Sequence, residues 1–496
     1  MIRYFLWGNN MACMKLLLGF CLVLLLSASN CSKQPGIYRD NPHVPDSTND
    51  PYLDQQWYLG PEGANVKAAW EITKGAKDVT LGILDFIFEK DNRDFPINGQ
   101  TCSSRSYEFV SQNGNYDLPL YHGSNVAQIA AACTNNGFGI AGVNWYSPVI
   151  AYDIGSHHMV VEKSIPLLLG INPCDAQDSN AFKECAQLVR NVDVLSTSFT
   201  LKEKLDISSP SKDNFNLFLY AEKAMSSGSK VWVAAAGNEG TSMELVFPNA
   251  IPPVITVGST NRTGLRWDRS NFGRRVDIMA PGEDIAYMQR GSLVYEGGTS
   301  FSSPLVAGIV TLMKSVYPKE EREKYWNWKV AKYLIQKTAR PMSCAQLCPD
   351  YNTFNNYKCQ DIWCGDTATP PGLVDAEAAV KAAQMGLPKV PLIDTDKYLL
   401  IADNIIPHQT VSFSLRVFNR GGAKGRVNIS SKHANISINQ STFDLDAITG
   451  PNASINIKIE VKTSYWGLQL GFIDIKAEGI NNNDPYVDRH EVWVAF

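Results

Sequence analysis

Three residues in three separate segments of this 496-residue chain could together carry hydrolytic chemistry. Ser300 follows the glycine-rich turn Gly297-Gly298-Thr299 and precedes a run that is apolar nearly all round: Val306, Ala307, Ile309, Val310, Leu312 and Met313. Such a run reads as a buried helix. A serine at its start meets unpaired backbone N–H groups and the positive end of the helix dipole, both of which favour an oxyanion. Pro304 reads as a first-turn residue, where its missing donor costs nothing. His122 opens a second apolar segment, His122-Gly123-Ser124-Asn125-Val126-Ala127. A neutral imidazole there is suited to take a hydroxyl proton near neutral pH and return it to a leaving amine. Asp85 closes the run 79–84, which puts a carboxylate at a strand's C-terminal end, where open α/β sheets hold their sites. Buried there, it can fix an imidazole's tautomer and stabilise the imidazolium. Taken singly, each has a plainer reading: a loop capping a core helix, a structural histidine, a strand-end cap.

The elements that must position these residues follow from the hydrophobic pattern. From about Asn49 to Met385, short β-branched runs alternate with helical stretches. Residues 79–84, 149–154, 192–199, 230–236 and 254–257 read as strands, most of them continuously apolar, as in a parallel sheet buried on both faces. Residues 125–132, 176–189 and 214–226 read as helices, and a further helix is expected over 326–337. This is an α/β layer pattern. After Pro388 the period becomes two: Val411, Phe413, Leu415 and Val417 alternate with Ser412, Ser414 and Arg416, and Ile455, Ile457, Ile459 and Val461 repeat the pattern. About seven such strands predict a small antiparallel β-sandwich over 397–496. The expected organisation is a signal over 1–31, a flexible leader over 32–48, a catalytic α/β domain over 49–385, a linker over 386–396 and the sandwich.

The signal rests on Lys15, the apolar run Leu16 to Leu26, and the small residues Ser27-Ala28-Ser29 before Asn30-Cys31. That run is too short to span a bilayer permanently. Met14 offers an alternative start. Cys31 resembles a lipid-bearing lipoprotein cysteine, although Asn30 and Ala28 depart from the usual pattern; ordinary cleavage after Ser29 is the other reading. Export to the extracellular space or cell envelope is expected on either. Eight cysteines remain beyond Cys31: Cys102, Cys133, Cys174, Cys185, Cys344, Cys348, Cys359 and Cys364. An even set in an oxidising compartment predicts disulfides. The last four could instead form a zinc site. A net charge of -4 gives no electrostatic reason to expect nucleic acid.

The three segments, in the order Asp, His, Ser, resemble the subtilisin family of serine peptidases. The resemblance extends to Val231 to Gly240 (containing Ala236-Gly237-Asn238), Phe247-Pro248, Met279-Ala280-Pro281-Gly282 and Val374-Asp375-Ala376. It implies a subtilisin-like parallel sheet flanked by helices and a triad of Asp85, His122 and Ser300, with the Asn238 amide and the Ser300 N–H holding the oxyanion. It also implies that Ser198, Phe199, Thr200 and Gly237 wall a substrate pocket with Val246 at its floor, and that the substrates are proteins or peptides. A shallow pocket taking medium apolar residues follows from Thr200 and Val246.

A structural calcium ion is implied too. Asp50, in a segment similar to the amino terminus of thermitase, and Asp94 and Asn136 would supply side chains, with carbonyls from Thr134, Phe138 and Ile140; such a set suits a hard cation. Paired bonds Cys102–Cys133 and Cys174–Cys185 are expected, with two more within Cys344 to Cys364. The chain is expected to act as a monomer. The family's usual pro-segment finds no room before Asn49.

Two departures stand out. Phe86 and Ile87 follow Asp85 where the family has a small polar residue and Gly, and a β-branched residue resists the left-handed backbone that Gly permits. Ser124 and Asn125 replace the family's Thr and second His. Two functions compete: an exported endopeptidase, and an inactive subtilisin-like scaffold whose sandwich binds a partner.

Overall fold

The computed structural model describes residues 48–495 apart from 90, 98–101, 103–104, 112–120, 155–190, 200, 205–224, 226–228, 243–245, 250, 350–358, 365–369, 402–407, 464–469 and 481–486. The segments 176–189 and 214–226 thus lie almost wholly outside the described residues.

The apolar runs become strands. In chain order they are β1 (Leu81–Asp85), β2 (Tyr107–Ser111), β3 (Val149–Asp153), β4 (Val194–Thr197), β5 (Leu201–Lys204), β6 (Val231–Ala235), β7 (Val246–Phe247), β8 (Val254–Thr260) and β9 (Ile278–Pro281). Seven form one sheet in the order β2-β3-β1-β4-β6-β8-β9, every neighbouring pair parallel. Every residue of β1, β3, β4, β6, β8 and β9 is buried, which is why these runs carry no polar alternation. The chain winds outward from β1 in one direction through β3 and in the other through β4. The crevice at the C-terminal ends of β1 and β4 is therefore the switch point of the sheet. Asp85 is the last residue of β1 and Ser198 follows β4 directly.

Two helices bring the other residues to that crevice. Helix α1 (His122–Ala131) begins on His122 itself, and α2 (Thr299–Val316) begins one residue before Ser300. Helix α2 is buried from Thr299 to Lys314 and packs across β4, β6, β8 and β9. Before it, β10 (Ile285–Gln289) and β11 (Ser292–Glu296) form an antiparallel hairpin in which Ile285 pairs with Glu296. Helix α3 (Trp328–Lys337) starts later than expected because Asn327 caps it, accepting the N–H groups of Lys329 (2.9 Å) and Val330 (3.1 Å). Helix α4 (Ala376–Gln384) packs against α2 and is capped by Asp375. No described helix is long and apolar enough to cross a membrane.

The carboxy-terminal region is a two-sheet sandwich. One sheet joins β12 (Ile393–Thr395), β14 (Thr410–Asn419), β16 (Ile436–Ile438) and β18 (Ser454–Lys462) in the order β12-β14-β18-β16. The other joins β13 (Leu399–Ile401), β15 (Gly425–Ser431), β17 (Thr442–Leu445), β19 (Leu470–Gly479) and β20 (Val487–Ala495) in the order β13-β20-β19-β15-β17. Leu415, Val417, Ile457, Ile459 and Val461 point into its core. The register pairs Val411 with Val461 and Leu415 with Ile457, so the two period-two runs face the same way. The expectation of about seven antiparallel strands is corrected by β13, which pairs with β20 in parallel, and by short β12 and β16, too brief to show alternation. Residues 386–396 are packed chain rather than loose tether: Val390 and Leu392 are buried with the α/β core, and β12 lies within them.

A charged seam ties the sandwich to α3. Lys329 Nζ contacts Asp488 Oδ1 at 3.0 Å, with side chains 7 % and 3 % exposed, and also donates to the Arg489 carbonyl. Arg275 pairs with Glu491, and Trp328 Nε1 donates to the Tyr398 hydroxyl. His490 is buried against Trp328 and Tyr398 and bonds Thr395 Oγ1 through Nε2. Burial, with Lys329, Lys332 and Arg275 beside it, holds His490 well below the ordinary imidazole pKa, so it is neutral.

Candidate active site

At the crevice His122 meets Asp85, and Ser300 lies against the end of β4. Asp85 is fully buried, and its Oδ1 lies 2.6 Å from His122 Nδ1. An ionised carboxylate only accepts, so Nδ1 carries the proton and Nε2 is left as the acceptor. Ser300 is 8 % exposed and its Oγ donates to the Ser198 carbonyl at 3.1 Å. A hydroxyl resting on a neighbouring carbonyl is compatible with a nucleophile, because catalytic hydrogen bonds tighten when substrate binds. The His122 side chain keeps 38 % of its surface exposed. Burial disfavours its charge, but the Asp85 carboxylate, the hydrogen bond to it and the charge of Glu296 outweigh that, and the pKa stands above 6.5.

The turn after Asp85 keeps its left-handed form without glycine. Ile87 has φ 52°, a conformation that costs an L-residue about 1–2 kcal/mol. Four hydrogen bonds hold it there. Phe86 N–H donates to Asp85 Oδ1 (2.7 Å), and Ile87 N–H donates to Asp153 Oδ1 (3.1 Å). Gly123 N–H donates to the carbonyls of Phe86 (2.8 Å) and Ile87 (3.2 Å). Gly123 is required for that approach, since a Cβ there would lie 2.7 Å from the Phe88 ring. Asp153 ends β3 in register with Asp85, so neighbouring strands deliver two buried carboxylates to one edge. Sequence reasoning missed Asp153; its signal was a second aspartate closing an apolar run, as Asp85 does. The Phe86 ring packs edge-on against Phe199, centroids 5.2 Å apart, forming an aromatic wall beside the crevice.

The oxyanion donors are arranged by two loops. Asn238 Oδ1 accepts from Thr299 N and Thr299 Oγ1, both at 2.9 Å, which turns its amide N–H₂ away from them. Asn238 Nδ2, Ser300 N and the Phe301 ring all flank Gly298, at 3.7, 3.6 and 3.6 Å from where its Cβ would stand. Gly237, at φ 99°, makes the turn before Asn238, and its N–H donates to Thr299 Oγ1. Pro304 is not a first-turn residue: α2 begins at Thr299, which puts Pro304 inside the helix. The Ser300 carbonyl that would accept a residue-304 N–H instead accepts Ser198 Oγ at 2.9 Å. The proline therefore helps to fasten the serine to the end of β4. Of the expected pocket residues, Ser198, Phe199 and Gly237 are buried here, Val246 lies in β7, and Thr200 lies outside the described residues.

Of the expected calcium ligands, Asp50 and Asp94 are hydrogen-bonded to the 134–140 loop, and Asn136 Oδ1 accepts from Phe138 N at 2.8 Å. The Asp50 carboxylate accepts from Asn135 N (2.8 Å), Asn136 N (3.1 Å) and Thr48 Oγ1 (2.7 Å). Asp94 is fully buried; its Oδ2 accepts from Ile140 N at 2.8 Å, while Oδ1 has no partner among the described residues. Burial raises the pKa of both carboxyls, and for Asp94 the charge of Asp50 adds to it. Among the described residues, the carbonyls of Thr134, Phe138 and Ile140 accept no hydrogen bond. Two desolvated carboxylates, an orphan oxygen and free carbonyls fit a hard cation.

Disulfides join Cys102 to Cys133, Cys344 to Cys364 and Cys348 to Cys359. The last two are nested, a connectivity the spacing had left open, and they use the sulfurs a zinc site would need. They pack with Phe272 and Trp363 in a small core of their own. Cys31, Cys174 and Cys185 lie outside the described residues.

Comparison with known proteins agrees with this geometry. The model of the subtilase family matches residues 76–373. A thermophilic serine proteinase of Bacillus sp. (strain AK1) is 30 % identical over 272 residues, 54 % of this chain and 59 % of that protein. An extracellular protease of Xanthomonas campestris pv. campestris is 26 % identical over 387 residues, 69 % of this chain and 58 % of that protein. Thermitase of Thermoactinomyces vulgaris is 30 % identical over 269 residues, 54 % of this chain and 85 % of that protein. The chain thus spans about three fifths of the length of the first two relatives. With the family model covering more than half of its residues, the chain belongs to the subtilase family.

Proposed function

We propose that this chain is an exported serine endopeptidase that hydrolyses peptide bonds through an acyl-enzyme. The observation that carries the reading is the 2.6 Å contact between His122 Nδ1 and buried Asp85, taken together with Ser300 at the start of a buried helix. Ser300 Oγ attacks the scissile carbonyl while His122 Nε2 takes its proton. Asn238 Nδ2 and Ser300 N stabilise the oxyanion, and His122 then protonates the leaving amine. Water, activated by the same imidazole, releases the acyl group. Support for export comes from the amino-terminal pattern, the disulfides and the extracellular relatives. Calcium, held by Asp50, Asp94, Asn136 and the carbonyls of Thr134, Phe138 and Ile140, would neutralise the two desolvated carboxylates and fix the loop after α1. The scaffold reading loses its motive, because Ile87 occupies the left-handed turn and Asp85 remains on His122.

The test is cleavage of unfolded casein by the purified mature protein, with Ser300→Ala and His122→Ala as comparisons. Each substitution should reduce turnover by about six orders of magnitude, because triad members act as a unit. The pH profile adds a second check. His122 must be neutral to act as base and its pKa is raised, so kcat/KM should fall as pH drops, with a midpoint above the ordinary imidazole value. Wild-type turnover equal to that of Ser300→Ala would refute the reading.

A further inference from the structure

Four residues before the nucleophile, β11 ends on Glu296, a solvent-exposed carboxylate with a fixed position. Tyr287 of β10 donates its hydroxyl to Glu296 Oε2 at 2.7 Å. Burial and the carboxylate together push the Tyr287 pKa up, so the hydroxyl stays a donor. The Tyr287 ring stacks on Phe301, the residue after Ser300, with centroids 5.3 Å apart. Its oxygen also receives Asn125 Nδ2 at 3.4 Å. Asn125 lies one turn along α1 from His122, and residues three apart on a helix share a face. Glu296 is thus anchored to the first turn of the histidine helix and the first turn of the serine helix. It lies close enough to His122 to raise the imidazole pKa by its charge. Arg290, the basic residue in the turn of the same hairpin, is at the far end from the Ile285–Glu296 pair and lies over the Tyr121 ring.

The side of the cleft follows from the chemistry. The imidazole that protonates the leaving amine must face the segment after the scissile bond. The expected pocket for the residue before that bond is built from Ser198 and Phe199, which follow β4, and Gly237, which follows β6. A carboxylate tied to the histidine helix therefore borders the leaving segment. We propose that Glu296, held by Tyr287, is a specificity residue that selects a lysine or arginine directly after the scissile bond. This rests on the endopeptidase reading and names a substrate class for it.

Paired fluorogenic peptides that differ only in arginine or leucine after the scissile bond would test it in the full mature protein. The wild type should favour arginine by about fivefold in kcat/KM at low salt, the size of an exposed ion pair. That preference should shrink at ~1 M salt, where the Debye length is about 3 Å. Glu296→Gln should bring the ratio to about one, and Glu296→Lys should favour a glutamate peptide over the arginine peptide. Because the ratio is taken within one enzyme, any change in the His122 pKa cancels. A ratio that is the same in wild type and Glu296→Gln overturns the specificity role while leaving the peptidase reading intact. A wild type that cleaves none of the peptides overturns both.

Discussion

At the C-terminal end of β1 a β-branched residue sits at φ 52°, and one oxygen of Asp85 is buried without a described partner. A second carboxylate, Asp153, is packed beside it in register. Across β14 and β18 of the sandwich, by contrast, apolar and polar residues alternate with few breaks, and in the other sheet Arg426 of β15 pairs with Asp444 of β17 on the surface. Each region holds to its local rules for a different purpose. The sandwich gains stability by obeying them, whereas the sheet edge departs from them to fix Asp85, His122 and Ser300 in one crevice.

The seam between the two regions offers the largest test of that contrast, because buried charges there serve stability alone. Asp488→Ala should destabilise the protein by about 3–5 kcal/mol, since it strands Lys329 in a site where both partners are almost fully buried. Replacing both residues with apolar ones of similar size should restore most of the loss. Urea denaturation monitored by tryptophan fluorescence would measure both; a loss under 1 kcal/mol for Asp488→Ala would make the seam incidental.

A somewhat smaller effect is expected at the calcium loop. Calcium at a hundred times its dissociation constant should stabilise the fold by about 2.7 kcal/mol. Chelation should lower the melting temperature accordingly, and Asp94→Ala should remove the response. Identical melting curves with and without chelator would remove calcium from the account.

The smallest effect is the most specific to the sheet edge. Ile87→Gly should relieve about 1–2 kcal/mol of left-handed strain and lose about 0.5–1 kcal/mol to the greater freedom of glycine. The net expectation is a gain of between zero and ~1.5 kcal/mol by these two figures, with turnover retained. A clear destabilisation would mean that the Ile87 side chain contributes packing beyond the turn.

Much of this arrangement was legible in the residues. The candidate triad could be picked out because Asp85, His122 and Ser300 each adjoin an apolar run whose period names its element, and because the order of the segments resembles a known family. Five of the seven strands of the parallel sheet were legible for the same reason, with boundaries off by one to three residues, whereas β2 and β9 were not expected. Other features were not legible. Ile87 argued for a distorted loop, because propensity cannot register that Gly123 and Asp153 would hold the turn by hydrogen bonds from distant segments. Pro304 argued for a first turn, because the Ser198 hydroxyl that compensates it comes from another strand. Glu296 drew no attention, because its meaning depends on Tyr287 holding it and on Asn125 meeting Tyr287 in space.

The central claim is that Asp85, His122 and Ser300 form a working triad despite Phe86 and Ile87. Labelling with an active-site phosphonate tests it directly, since only a serine activated by its histidine reacts at a useful rate. The calcium-loaded, disulfide-bonded wild type should take up one phosphonate per chain, on Ser300 by peptide mapping, and Ser300→Ala should take up none. A wild type that stays unlabelled under those conditions, or that is labelled equally after Ser300→Ala, would contradict the account.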